Sequence, residues 1–240
     1  MKASARLGLA LAASVTLAAP VFAQGWVQDY QRNFEIGGRQ GSRSAGPAQA
    51  TGDFDFYVLA LSWSPSYCER SGDRADPEQC GVHGPRGFVL HGLWPQYERG
   101  FPKNCRTTGR QPTRAQVEGV LDLWPGPGLV RHEWRTHGTC SGLDPVSYFA
   151  LAREAVGKVV TPPSLERVSE DVESSPVEVE RAFIAANPRL KPSMIAVQCD
   201  GGAMSEVRIC MSKDLAFRPC PEVDRSACRA SRVSLPAARR

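Results

Sequence analysis

Apolar and polar residues follow several rhythms along this chain. The first apolar stretch has no period at all: Leu7 to Ala19 follows Lys2 and Arg6, and Val21-Phe22-Ala23 ends it with small residues at the A-x-A positions. Such a run is shorter than the about 20 apolar residues that cross a bilayer, and no later run is long enough either. Basic flank, short apolar centre and small-residue end predict a secretory signal over residues 1–23. Residues 24–52 are rich in Gly, Gln, Arg, Ser and Ala without sustained periodicity, which predicts a flexible lead-in.

Order is expected from Phe54. Phe54 to Trp63 is short, aromatic and β-branched, the pattern of a largely buried strand. Arg86 to Trp94 predicts a second strand, in which Phe88-Val89-Leu90 runs into His91-Gly92-Leu93-Trp94-Pro95. Helical signals follow. Thr113 can cap a run to Leu123 that Trp124-Pro125-Gly126 stops. Asp144-Pro145 joins an N-cap to a first-turn proline and opens a helix to about Val156. Ser175-Pro176-Val177-Glu178 is a capping box for a helix to Ala186, closed by Asn187-Pro188. Two late strands are expected at Met194 to Cys199 and Glu206 to Met211, where Val207, Ile209 and Met211 alternate with Arg208 and Cys210. Strands and helices mix without a βαβ rhythm. The reading is therefore an α+β fold in one domain over residues 53–240.

Composition narrows this picture. With 42% hydrophobic and 22% charged residues the chain is globular. Its formal charge of +4 falls further when Lys2 and Arg6 leave with the signal. So balanced a chain is not a high-affinity nucleic-acid coat protein, but an enzyme that touches a few phosphates and lets go is allowed. Eight cysteines behind an export signal predict four disulfides in an oxidising compartment, periplasmic or extracellular; the count alone leaves their pairing open. None of Asn33, Asn104 and Asn187 begins an N-x-S/T sequon, which favours a bacterial exported protein.

The chain has four histidines, and three fall in two short segments: His91, and His132 with His137 in His132-Glu133-Trp134-Arg135-Thr136-His137-Gly138-Thr139-Cys140. His132-Glu133 begins like an H-E-x-x-H zinc motif, but the next histidine is one position late. At about 100° per residue, five steps turn it about 140° around a helix, where four would leave it about 40° away. Thiolate sites are excluded by the oxidising compartment. No metal or other cofactor is expected. Two histidines near a carboxylate suit phosphodiester transfer in RNA. One neutral imidazole takes the ribose 2′-OH proton, and the other, protonated, gives one to the departing 5′-oxygen. DNA, lacking the 2′-OH, is spared.

These two segments resemble the active-site signatures of the ribonuclease T2 family of secreted endoribonucleases. The resemblance runs from Phe56-Tyr57-Val58-Leu59-Ala60-Leu61-Ser62-Trp63 to the Cys199–Cys228 region. It implies a central antiparallel sheet flanked by helices, and cleavage of single-stranded RNA through a 2′,3′-cyclic phosphate. It also implies roles: His91 as general acid, His137 as general base, Glu133 stabilising the phosphorane, His132 on the phosphate, and Trp94 stacked on the base 5′ to the scissile bond. Trp134 is expected in the core instead. The disulfides implied are Cys68–Cys80, Cys105–Cys140, Cys199–Cys228 and Cys210–Cys220. The partners implied are RNA but not DNA, no membrane once the signal is removed, and no second copy of the chain, which is expected to be a monomer. A relative that keeps the fold but only binds or signals is the rival reading, and the intact His91, Glu133 and His137 argue against it. One departure stands out. Where the family usually has lysine, this chain has Thr136. The missing charge is expected from Arg135 curling back or from protonated His132, which would make the enzyme depend on acidic pH.

Overall fold

The computed structural model describes residues 51–238 apart from 73–74, 82–86, 107–108, 110 and 167. The expected signal over 1–23, the lead-in up to residue 50, and Arg86 at the head of the second expected strand lie outside the described residues. Thr51 and Gly52, the last residues of that lead-in, are already engaged. Thr51 Oγ1 donates to Thr139 O at 2.7 Å, and Gly52 N–H to Cys140 O at 2.9 Å.

Among the described residues six strands form one sheet: β1 Phe56–Trp63, β2 Phe88–Gln96, β3 Val172–Ser174, β4 Ile195–Asp200, β5 Ala203–Met211 and β6 Val233–Leu235. β1 lies between β2 and β5, antiparallel to both, and β4 also pairs antiparallel with β5. β6 touches β5 through a parallel bridge at Ala203 and Ser234, and carries β3 antiparallel at the rim. The helices are α1 Ser64–Ser71, α2 Pro77–Cys80, α3 Arg114–Glu118, α4 Pro127–Thr136, α5 Pro145–Gly157, α6 Pro163–Glu166, α7 Pro176–Ala186 and α8 Pro221–Arg225. None among the described residues is long and apolar enough to cross a membrane.

Alternation along β1 explains its apolar run from Phe56 to Leu61. Tyr57, Leu59, Leu61 and Trp63 enter the main core with Val130 and Trp134 of α4, Tyr148 and Phe149 of α5, and Phe183 of α7. Phe56, Val58 and Ala60 point the other way, into a smaller cluster with Trp94, Ala196, Cys210 and Val223. A strand covered on both faces reads as a nearly continuous apolar run.

The caps form as the sequence predicts. Asp144 accepts from Val146 and Ser147 N–H, and Ser175 with Glu178, like Thr113 with Gln116, closes a reciprocal box. The helix from Thr113 is shorter than expected, ending at Glu118 rather than Leu123. Gly119 follows, and Val120 and Leu123 then bond three residues back, so the chain tightens into turns. The bend at Trp124-Pro125-Gly126 is also a start, because Pro127 occupies the first helical turn of α4. All four disulfides pair as the resemblance implies: Cys68–Cys80, Cys105–Cys140, Cys199–Cys228 and Cys210–Cys220.

Candidate active site

The site begins with a fault in a strand. β1 and β2 pair Ala60 with Gly92 and Leu61 with Leu90, which leaves His91 as an extra residue. Leu90 and Leu93 both belong to the main core although they are three apart, and a period of two would send them to opposite faces. The bulge reconciles them and re-aims His91. Gly92 must be small here. A Cβ would lie 2.1 Å from Glu133 Oε2 and 2.2 Å from Trp94 Nε1.

α4 supplies the facing wall. Trp134 is fully buried against Tyr148 and Phe149, as expected of a core residue, while His132, Glu133 and Thr136 are buried on other sides of the helix. Arg135 faces solvent. The helix ends at Thr136, and His137 holds the C-cap with its N–H on Glu133 O at 2.9 Å. Gly138 lets the chain turn tightly there, since a Cβ would meet Trp134 at 2.5 Å.

β2 and α4 bring the expected residues together around Glu133, which is 1% exposed. His91 Nε2 lies 3.7 Å and His132 Nε2 3.9 Å from Glu133 Oε1. Trp94 Nε1–H donates to Glu133 Oε2 at 2.8 Å. The Trp94 ring is 4.9 Å from the His91 ring and 5.1 Å from that of His137. Thr136 Oγ1 lies 3.4 Å from His132 Nε2.

Two residues of the site were not anticipated, Glu206 and Arg208 on β5. His91 Nδ1 lies 2.5 Å from Glu206 Oε2, and Arg208 Nε–H donates to Glu206 Oε1 at 2.7 Å. The Arg208 guanidinium sits over the Trp94 ring, 5.3 Å from its centroid. The alternation that puts Val207 and Ile209 in the core necessarily turns both charged residues onto the other face, where they were read as strand patterning and not as chemistry.

The electrostatics separate the three histidines. Burial pulls His91 down, but Glu206 and then Glu133 outweigh it, and its pKa ends above the ordinary value. His137 falls well below it through burial, with His132, His91, Lys103 and Arg208 adding positive charge. His132 drops to about 4, mainly by burial, helped by His91 and Arg135. Burial therefore works against the expectation that protonated His132 replaces the missing lysine near neutrality. Glu206 stays ionised despite burial, because Arg208 and His91 lower its pKa. Among the described residues no cluster of His, Cys, Asp and Glu has the makings of a metal site.

A ribonuclease of Aeromonas hydrophila is 47% identical over 103 residues, 43% of this chain and 45% of that protein, so the match spans less than half of the relative. Ribonuclease DdI of Dictyostelium discoideum is 32% identical over 200 residues, 75% of this chain and 84% of its own length. Among solved structures, an RNase-related protein from Calystegia sepium shares the fold with a TM-score of 0.62 at 24% identity, over 76% of this chain and 97% of that one. Residues 54–220, well over half of the sequence, match the Ribonuclease T2 family, and the chain belongs to that family.

Proposed function

We propose that this protein is a metal-independent endoribonuclease that cleaves single-stranded RNA by transphosphorylation, leaving a 2′,3′-cyclic phosphate. The observation that carries this reading is that His91 and His137 both lie against one indole ring, 4.9 and 5.1 Å from it, in surroundings that raise the pKa of the first and lower that of the second. Two titratable groups driven apart in this way are an acid and a base.

His137 Nδ1 is buried, which leaves Nε2 as the nitrogen a substrate can reach. His137 takes the 2′-OH proton there as the 2′-oxygen attacks phosphorus. Protonated His91 delivers its Nε2 proton to the 5′-oxygen as the P–O bond breaks. Glu133, fixed by the Trp94 N–H, orients the His91 side of the site and balances its charge in the phosphorane. His132 and the Thr136 hydroxyl offer neutral hydrogen bonds to the phosphate oxygens. Trp94 is 9% exposed, so in this reading its ring chiefly supports the catalytic side chains, and only its open margin is left for a base to stack on.

The nucleophile belongs to the substrate, so the chemistry asks nothing of a metal. Excess EDTA should leave the rate of RNA digestion unchanged, and the products should carry 2′,3′-cyclic phosphate ends. Loss of activity with chelator, restored by Zn²⁺ or Mg²⁺, overturns the mechanism, and intact RNA overturns the function in favour of a binding protein. The four disulfides support a periplasmic or secreted enzyme.

A further inference from the structure

We propose that Glu206, clamped by Arg208, is a positioning residue for His91: it fixes the Nδ1–H tautomer and keeps Nε2 aimed at the departing oxygen. This rests on His91 being the general acid.

The bulge interrupts the regular register of β1 and β2 at His91, and Glu206 meets the His91 ring there. An ionised carboxylate only accepts, so Glu206 Oε2 at 2.5 Å requires the proton on Nδ1. The other nitrogen, Nε2, then points at Glu133 Oε1, 3.7 Å away. When His91 gives up its Nε2 proton, the ring is left as the Nδ1–H tautomer already bonded to Glu206. It can then take a proton back on Nε2 from the water that opens the cyclic phosphate. No ring flip is required between the two half-reactions.

Reaching His91 from β5 means crossing β1, the strand between them. The sequence permits this through two small residues. Ala60 stands between Gly92 and Arg208, and Ser62 faces Glu206 across the pair. Glu206 is only 1% exposed, yet each of its oxygens has a partner, one on Arg208 and one on His91. A buried carboxylate satisfied on both oxygens is rigid and remains charged. Among the described residues, the groups bearing on His91 include Glu206 and Arg208 from β5, and Glu133, His132 and His137 from α4 and its C-cap. Glu206 raises the His91 pKa, with Glu133 adding to it, and Arg208 lowers it.

The test is Glu206→Gln, with kcat/KM followed across pH on two substrates. One is RNA. The other is a ribonucleoside 3′-(4-nitrophenyl phosphate), whose phenolate departs without a proton. On RNA the alkaline limb should move to lower pH, while the acidic limb set by His137 stays in place. At and above neutrality the rate should fall at least about tenfold, a share of what a positioned acid contributes. On the aryl ester the variant should stay within about threefold of the parent, because no general acid is needed. Equal losses on both substrates, or an unmoved alkaline limb, overturn the proposal. His91→Ala serves as the reference: full activity of that variant on RNA overturns the acid assignment itself, whatever Glu206 does. Should Glu206→Gln fail to fold, ¹⁵N-histidine NMR of the unmodified enzyme decides. The His91 signal, identified by its absence in His91→Ala, must keep Nδ1 protonated as the ring becomes neutral. A neutral Nε2–H tautomer overturns the proposal.

Discussion

At the scale of single residues, the proposed mechanism depends on which histidine holds a proton. His137 is kept neutral by burial and by the positive groups around it, and His91 is kept protonated by Glu206 and Glu133 against its own burial. With His137 as the proposed base and His91 as the proposed acid, activity should rise as His137 deprotonates and fall as His91 deprotonates. The kcat/KM profile should therefore be a broad plateau whose acidic limb lies below the ordinary histidine pKa and whose alkaline limb lies above it; a narrow optimum at that pKa would contradict the assignment. His91→Ala and His137→Ala should each lower kcat by about 10²–10⁴. The missing lysine gives a second prediction. Thr136 is buried beside His132, whereas Arg135 faces solvent and does not inherit its direction. Arg135→Ala should leave kcat within about twofold, and Thr136→Lys should raise it about tenfold by adding charge where the phosphorane develops it. His91, His132, Glu133 and His137 were legible because two dense motifs announce them. Glu206 and Arg208 were not, because only the register of β5 against β1, with Ala60 and Ser62 beneath, carries them to His91.

Secondary-structure elements turn these side chains toward one another, and their signals in the sequence were unequal. Thr113, Asp144 and Ser175 marked their helices because capping is local chemistry. β3 and β6, each of three residues, left no readable pattern; their pairing depends on chain segments far apart in sequence. The bulge lay between these extremes. Leu90 and Leu93 at a spacing of three in an otherwise alternating strand were its visible trace. Gly92 is the residue that makes the bulge useful, since any side chain there drives into the Trp94–Glu133 hydrogen bond. Gly92→Ala should reduce kcat by about 10² or more, because Glu133 must swing aside and the His91 side of the site loses its anchor. The stability loss should be about 1–3 kcal/mol, because the buried Trp94 indole as well as the Glu133 carboxylate must shift to admit the methyl group. A variant with normal kcat and a normal melting temperature would show that Glu133 does not need this position.

For the whole molecule, an α+β fold in one domain was legible from the mixture of patterns and a central sheet flanked by helices from the family resemblance, whereas the parallel contact of β5 with β6 was not. The bridges hold this fold together for different ends. Cys105–Cys140 closes 35 residues and Cys199–Cys228 closes 29, so loop entropy assigns both similar stability, about 4 kcal/mol each. Their surroundings differ. Cys140 follows directly on His137, Gly138 and Thr139, and the same segment is held by Asn104 N–H on Thr136 O at 2.8 Å and by Thr51 and Gly52 on Thr139 and Cys140. Cys199 lies on β4, which pairs only with β5, away from β2 and α4. Replacing either pair by alanine should lower the melting temperature by a comparable amount. Well below both transitions, however, only the Cys105→Ala/Cys140→Ala enzyme should lose turnover, by tenfold or more, because a misplacement of about 1 Å in the general base is enough for such a loss. Equal turnover in the two variants would mean that the hydrogen bonds from Thr51, Gly52 and Asn104 suffice to place His137, and that the bridge serves stability alone.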